Sequence, residues 1–391
     1  MSRRFFAALC VTGFFAILSS TMSKSPVLAP FAESVGTPEY LMGFVASAST
    51  IPGLIASLPA GSLSDRLGRT RIIICAGVVF ATAPFLYVLV TTPYQLIMVR
   101  FYHGFATAIL VPVANAAIVD MYPKSKGQRV STFSSSTAVG RAIAPTLGGY
   151  ILLVTISDYH ELYIVVGIFG ILALTSALGL RGKKESYEAP VAREEVPRSA
   201  VREGIEVALN RGIVATSLVE AAQYYTYGAF EFYVVLYAQS LGIDLFQIGI
   251  VLAAEIATFV IGKPIMGGLS DKIGRRKPII LGLLVGAVSM FAAQFVTSFY
   301  QLVMISIVYG LGFSLVTSST PPLVSELTRK ELYGVSMGFL GTIMDVGQVL
   351  GPIVTGFILA AGYGYSGSFT SLGLLLFLTA LIFFGVHHRR A

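Results

Sequence analysis

Eight ionisable side chains interrupt the apolar stretches of this sequence. They are Lys24, Arg100, Arg141, Lys263, Glu220, Glu231, Glu255 and Asp345. An isolated charge inside a bilayer costs at least about 2.5 kcal/mol, so most of these groups should face one another or water. Burial favours the protonated form of a carboxylic acid and a nearby cation favours the ionised form, which suits uptake and release of protons. Glu231, Glu255 and Asp345 are the better candidates for that role, whereas Lys263 and Glu220 are expected near the inner surface, solvated or structural.

The stretches around these charges are long enough to be membrane helices. Hydrophobic residues make up 55% of the 391 residues and charged residues 12%, and a mean hydropathy of +0.77 excludes a soluble globule. Runs long enough to cross a bilayer lie near 5–31, 40–63, 72–90, 94–119, 131–156, 162–180, 213–238, 246–268, 279–297, 301–325, 333–361 and 366–386. The sequence therefore predicts an all-α membrane protein with twelve transmembrane helices.

The N-terminus also has a second interpretation. Arg3 and Arg4 before the first run could mark a signal peptide. No clear small-residue cleavage site follows, and cleavage would leave the first half one helix short. We therefore expect 5–31 to be the first span.

The charge distribution predicts the topology. The net charge is +7. Four of the 27 Lys and Arg lie in the apolar runs, and the other 23 all fall in loops or termini on one predicted side. This is the positive-inside pattern, so we expect both termini in the cytoplasm, a cell-membrane location and no nucleic-acid partner. Cys10 and Cys75 both lie in apolar runs, and no pattern calls for a disulfide, a metal or a cofactor.

A charged segment divides the chain. Residues 181–211 contain seven basic and six acidic residues with Pro190 and Pro197. We predict two six-helix bundles, 1–180 and 212–391, joined by this cytoplasmic linker. Within it, 198–210 has apolar residues at helical spacing, which predicts an amphipathic helix on the membrane surface.

One short sequence occurs twice. Residues 61–71 read GSLSDRLGRTR, and 206 positions later residues 267–277 read GGLSDKIGRRK. We expect the first glycine of each copy to allow close helix approach, the aspartate to cap a neighbouring helix N-terminus, and the arginines to lie in the headgroup layer. The candidate switch positions are Gly61, Asp65, Gly68, Arg69, Gly267, Asp271, Gly274 and Arg275.

The repeated loop resembles the one between the second and third helices that marks the major facilitator superfamily. The same offset relates Gly104 to Gly310 and Asp120 to Glu326. The resemblance implies two pseudo-symmetric six-helix bundles that bind substrate between them near the midplane and rock about it.

A glycine and proline motif lies in the predicted fifth and eleventh spans. Its positions are Gly140, Pro145, Gly148, Gly149, Gly347, Gly351, Pro352 and Gly356. It resembles the GxxxGPxxGG signature of antiporters in the superfamily, with Ala144 in place of one glycine. Small residues at helical spacing also predict plain helix packing, so both interpretations stay open.

The predicted fourth span contains a further resemblance. Arg100, His103 and Gly104 are similar to the RxxQG pattern of the superfamily, with histidine in place of glutamine. Arg100 needs a carboxylate, a backbone oxygen or water as its partner. His103 either titrates near neutral pH or is a neutral, hydrogen-bonded imidazole.

Two pairs between the bundles are predicted from depth along the helices. Lys24 and Glu231 lie at similar depth, although Lys24 could instead extend to the membrane surface. Arg141 and Glu255 lie roughly 16 Å and 14 Å from opposite faces of a core of about 30 Å. The resemblance implies that the fifth helix packs beside the eighth, so we predict an ion pair between Arg141 and Glu255.

The predicted seventh span is rich in aromatic residues: Tyr224, Tyr225, Tyr227, Phe230, Phe232 and Tyr233. Six rings in ten residues cannot all face one way. We expect some, with Tyr224 and Tyr225 among the candidates, to line a cavity for aromatic or lipophilic solutes and the others to face lipid.

These patterns favour a monomeric secondary transporter similar to drug and proton antiporters, which exports a small molecule. The alternative is a proton symporter or facilitator that imports a nutrient such as a sugar or an organic acid. The sequence has no Walker loop and no nucleophile constellation, so neither ATP drive nor enzymatic activity is supported. A receptor or a structural membrane protein would leave the paired loops and the buried charges unexplained.

Overall fold

The computed structural model describes residues 2–180 and 198–388, and almost all of these are helical. The helices of this part of the chain are α1 (Ser2–Met22), α2 (Leu28–Ser34), α3 (Glu39–Ser47), α4 (Ile51–Leu67), α5 (Arg69–Tyr87), α6 (Pro93–Met121), α7 (Lys126–Val154), α8 (Tyr159–Leu178), α9 (Arg198–Leu209), α10 (Arg211–Ser240), α11 (Leu245–Ile273), α12 (Arg276–Ala293), α13 (Phe299–Leu327), α14 (Tyr333–Ile358) and α15 (Gly364–His388).

Twelve membrane helices account for this order, as the sequence predicts. Within the described residues, nine stretches are long and apolar enough to cross a membrane, and one of them, Lys330–Val386, contains both α14 and α15. These stretches account for ten membrane helices, and α10 is a further one, whose hydropathy is lowered by polar residues such as Glu220 and Gln223. The remaining one is divided between α3, with 9 residues, and α4, with 17 residues.

The chain forms two compact units. The N-terminal unit contains Met1–Ala192 together with Asp244–Ala253, at the start of α11. The C-terminal unit contains Arg193–Ile243 and Ala254–Ala391. Residues 181–197 of the predicted linker lie outside the described residues.

Two predicted spans are interrupted. The span 5–31 is not one helix, because α1 ends at Met22 and α2 begins at Leu28, with a cis Ser25–Pro26 bond between them. Pro26 has no N–H with which to continue the helical hydrogen bonds. The span 40–63 is divided after Ser47, where α3 ends. Pro52 lies in the first turn of α4, a position where proline is tolerated because the backbone N–H has no partner within the helix.

In each unit, the first membrane helix packs against equivalent helices. Helix α1 packs against α7 and α8, and α10 packs against α14 and α15. Likewise α5 packs against α6, and α12 against α13. The helix order within each unit therefore follows the internal repeat of the sequence.

Two glycines make the sharp junctions of the repeated loops. Gly68 separates α4 from α5 with φ of +96°, and Gly274 separates α11 from α12 with φ of +85°. Side chains disfavour this region of φ, so both copies need glycine at this place.

Helix α9 occupies the predicted amphipathic segment. Val207 is buried with Ile213 and Leu332 in a small apolar core. Ile205 and Leu209 lie on exposed faces, with 55% and 74% of their surface accessible. One face of α9 thus attaches it to the C-terminal unit while other apolar side chains stay exposed.

Candidate functional site

The first copy of the repeated loop holds an arginine among three oxygen acceptors. Arg69 donates from Nε to Asp120 at 3.1 Å and from Nη1 to the Ser64 hydroxyl at 2.5 Å. Its Nη2 pairs with Asp65 at 2.5 Å. The loop is thereby joined to the last turn of α6, which contains Asp120.

The second copy repeats these contacts. Arg275 donates from Nε to Glu326 at 2.9 Å, from Nη1 to Ser270 at 3.4 Å, and also to Asp271. The hydrogen bonds to Glu326 and Asp271 raise the pKa of Arg275, so this guanidinium stays charged. The loop is joined to the last turn of α13.

Asp120 and Glu326 are loop partners that the sequence does not predict, although the 206-residue offset relates them. The described partners of Asp65 and Asp271 are the loop arginines, and capping of a neighbouring helix stays a prediction. Gly267 is not at a close helix contact, because a Cβ there would lie 3.9 Å from the Ser318 Cβ, an ordinary distance. The surroundings of Gly61 lie outside the described residues.

The glycines of α14 lie where that helix touches α10. A Cβ on Gly347 would overlap the backbone of Ala221, and one on Gly351 would overlap that of Tyr225. The neighbouring Pro352 carbonyl accepts a hydrogen bond from the Tyr233 hydroxyl at 3.0 Å. Gly356 is also buried.

The glycines of α7 make two contacts within the N-terminal unit. A Cβ on Gly140 would lie 2.7 Å from the Phe14 carbonyl oxygen, and one on Gly148 would lie 3.2 Å from Met22 Cγ. The other contact is with the start of α11, where a Cβ on Gly149 would overlap Leu245 and one on Gly249 would overlap Pro145. Helix α7 therefore packs tightly on α1 and on the first turns of α11.

Helix α6 buries Arg100 and His103. Arg100 is 2% exposed and donates from Nη2 to the Ser49 hydroxyl at 2.6 Å, and it also interacts with the Tyr87 hydroxyl. Neither hydroxyl is among the partners predicted from the sequence. His103 packs edge-on against Phe80, and its Nδ1 lies 3.4 Å from the Tyr87 hydroxyl. Arg100 Nε and His103 Nε2 are buried without a hydrogen-bond partner in the described part of the chain. Since unsatisfied buried donors are costly, the position favours an additional acceptor.

Four rings form an aromatic cluster in the C-terminal unit: Tyr224, Tyr227, Phe259 and Phe313. Phe313 lies 5.2 Å from Tyr224, 5.1 Å from Tyr227 and 5.3 Å from Phe259, measured between ring centroids. Lys263 Nζ lies 5.8 Å from the Phe259 centroid and 5.7 Å from the Phe313 centroid. These distances allow cation–π attraction.

Glu220 lies one helical turn before Tyr224. It is 4% exposed, accepts a hydrogen bond from the Thr320 hydroxyl and is close enough to Lys263 to interact electrostatically. The sequence predicts that Glu220 is either solvated or structural, and its burial excludes the solvated alternative, because α13, α14 and α15 all pack around α10. A carboxylate, a hydroxyl and an ammonium group therefore adjoin the aromatic cluster.

The other predicted carboxylates occupy three different places. Glu255 is 1% exposed and interacts electrostatically with Tyr309. Glu231 is 5% exposed in α10, and Asp345 is half-buried in α14.

The predicted pairs join residues of different units. Lys24 is half-buried in the turn after α1, and Arg141 is exposed on α7. Both belong to the N-terminal unit, whereas Glu231 and Glu255 belong to the C-terminal unit. The pairs Lys24–Glu231 and Arg141–Glu255 stay predictions.

The aromatic residues of α10 separate into different surroundings. Tyr227, Phe230, Phe232 and Tyr233 are buried, and Tyr224 and Tyr225 are half-buried, so none of the six rings is fully exposed. Tyr224 belongs to the aromatic cluster, whereas Tyr225 lines a groove with α14 and α15.

In the described part of the chain, twelve membrane helices in two repeated units, with charged groups buried inside each unit, define a multi-pass membrane transporter. The chain belongs to the Major Facilitator Superfamily, whose family model matches residues 9–252 and 216–391. It is thus a transporter of small molecules in the cell membrane and not an enzyme.

Known proteins resemble most of the chain. A multi-drug resistance efflux pump PmrA homolog from Lactococcus lactis is 28% identical over 83% of each chain. Multidrug resistance protein MdtG from Salmonella arizonae is 24% identical over 86% of this chain and 82% of its own length. The crystal structure of nucleoside transporter NupG superposes with a TM-score of 0.81 over 98% of each chain at 14% identity, a likeness of fold alone.

Proposed function

We propose that this protein exports an aromatic or lipophilic small molecule in exchange for protons. The observation that carries the proposal is the buried Glu220 carboxylate beside the aromatic cluster. The rings supply apolar contact area for a flat solute. A carboxylate in such surroundings is costly when charged and unpaired, so it favours either a proton or a compensating partner.

Antiport follows if the proton and the solute compete for this carboxylate. A bound solute lowers the proton affinity of Glu220 if it interacts favourably with the carboxylate or brings Lys263 closer to that carboxylate. In turn, protonation of Glu220 lowers the affinity for the solute. Proton entry down its gradient then drives the solute outward. The similarity to relatives named as multidrug efflux proteins supports export.

We further propose that both termini lie in the cytoplasm and that one chain is sufficient for transport. The loops containing Arg69 and Arg275 belong to the basic side of the protein, which the positive-inside rule assigns to the cytoplasm. One chain contains both repeated units, so no second copy is needed to complete the repeat.

A second candidate function is proton-linked uptake of an organic acid. Arg100 favours it, because the buried guanidinium has an Nε without a partner in the described residues and a carboxylate would satisfy it. In this case the solute and the proton would move in the same direction.

Proteoliposomes with an imposed pH gradient test both functions. A panel of aromatic cations, neutral aromatic compounds and small organic acids is offered on either side of the membrane. Antiport predicts that the solute accumulates in the compartment from which protons leave, and symport predicts the reverse. Transport that does not respond to the pH gradient would contradict proton coupling in either direction.

A further inference from the structure

An apolar groove lies on the C-terminal unit between α10, α14 and α15. Its volume is about 820 Å³. Exposed aliphatic side chains from all three helices line it, including Leu218, Leu350, Val354 and Ile382. It is separate from the aromatic cluster, whose four rings do not line it.

Among the described residues that line the groove, one is a cation, and it lies at one end. Arg211, the first residue of α10, lines it and is exposed, and its side chain has no ion-pair or hydrogen-bond partner in the described part of the chain. Arg329, in the loop after α13, differs because it pairs with Glu206 at 3.2 Å. The groove therefore combines apolar walls with one positive charge at its mouth.

The dimensions suit one leaflet of a bilayer. From Arg211 to Tyr225, which also lines the groove, α10 rises about 21 Å, whereas half of a hydrocarbon core is about 15 Å. Helix α10 begins and α11 ends on the same side of the unit, so Arg211 lies on the side of the Arg275 loop. A phosphate at Arg211 would leave acyl chains directed along the groove.

Helix α9 supports this placement. Ile205 and Leu209 expose apolar surface within six residues of Arg211 in the sequence, on a helix attached to the same unit. Apolar side chains exposed beside basic residues are typical of a helix at the boundary between headgroups and acyl chains.

We propose that this groove binds an anionic phospholipid, with the phosphate at Arg211 and an acyl chain between α14 and α15. The charge of Arg211 selects an anionic headgroup over a zwitterionic one, and the apolar walls distinguish a lipid from a free phosphate ion. The site does not depend on the proposed transport function.

Native mass spectrometry of the purified full chain tests the proposal. The protein in detergent is offered phosphatidylglycerol, phosphatidylcholine with the same acyl chains, or inorganic phosphate. We expect selective retention of phosphatidylglycerol and about fivefold weaker retention by Arg211→Gln, the effect of one cation near a membrane surface. Arg202→Gln is the matched control, since Arg202 is exposed on α9 and does not line the groove.

A second variant tests the acyl chain. Leu350→Trp places a larger side chain in the groove at an exposed position, so folding should persist and phosphatidylglycerol retention should fall. Equal retention of the two lipids, equal loss in Arg202→Gln, or binding of inorganic phosphate as tight as that of the lipid would overturn the proposal. If Arg211→Gln does not fold, unchanged retention by Leu350→Trp would also overturn it.

Discussion

Arg275 donates a hydrogen bond from Nε to Glu326 at 2.9 Å, and its repeat counterpart Arg69 makes the equivalent bond to Asp120 at 3.1 Å. Each arginine lies at the start of a membrane helix, and each carboxylate lies in the last turn of the next. In both units, this hydrogen bond therefore joins the loop to the second helix of the hairpin that follows it.

We expect Glu326→Gln to weaken this contact and to cost about 0.2 to 1 kcal/mol, because the Glu326 side chain is 54% exposed and such pairs are screened by water. Thermal unfolding in detergent measures the loss. Glu331→Gln is the control, since Glu331 is an exposed glutamate in the next loop without an ion pair in the described residues. Equal melting temperatures for the two variants would show that the pair adds no stability.

Gly351→Ala should destabilise the C-terminal unit. The new Cβ would overlap the Tyr225 backbone, and overpacking of this kind costs about 1 to 3 kcal/mol. Gly341→Ala, in the same helix, has nothing within 4 Å of the new Cβ and should keep or slightly raise the melting temperature. If Gly351→Ala and Gly341→Ala have the same melting temperature, the contact between α10 and α14 is looser than its glycines indicate.

Glu220→Gln should abolish pH-driven transport while the protein still folds. The amide keeps an oxygen that can accept the Thr320 hydrogen bond, but it cannot take up a proton. Thr320→Val is the control, because it removes the hydrogen bond and keeps the carboxylate, and it should retain a response to the pH gradient. Proteoliposome transport at several imposed gradients measures both variants.

Glu231→Gln is the companion test, because Glu231 is on the same helix and is buried to a similar degree. If Glu231 is the proton carrier, its variant loses the pH response and retains solute exchange, whereas Glu220→Gln stays driven by the gradient. Loss of the response in Glu220→Gln alone supports the carboxylate beside the aromatic cluster. If both variants keep full pH-driven transport, the proton carrier is neither Glu220 nor Glu231, and Glu255 and Asp345 are the next candidates.

Arg100→Met should fold with an unchanged or higher melting temperature and lose transport. Arg100 has no ion-pair partner in the described residues, so Arg100→Met removes a buried charge that is costly to keep out of water. A transport defect would then report function rather than folding. Ser49→Ala should instead lower stability by about 1 to 3 kcal/mol, because it removes one acceptor from the buried guanidinium. A melting temperature that falls equally in both variants would indicate a structural role for Arg100.

The sequence alone determines the membrane architecture. Apolar run length and the 206-residue offset predict twelve helices in two similar units, because both depend on composition and order along the chain. The junction glycines Gly68 and Gly274 are recognisable for the same reason, since their unusual φ is a local requirement.

Only the tertiary structure decided which charges are buried and what they touch. The acceptor of Arg100 is Ser49 and the donor to Glu220 is Thr320, both distant in sequence and ordinary in type. Tyr224 and Tyr225 are adjacent, yet one joins the aromatic cluster and the other lines the groove. Consecutive side chains of a helix point about 100° apart around its axis. The surroundings of each side chain therefore depend on which neighbouring helices lie in that direction, and hydropathy along the chain does not contain this information.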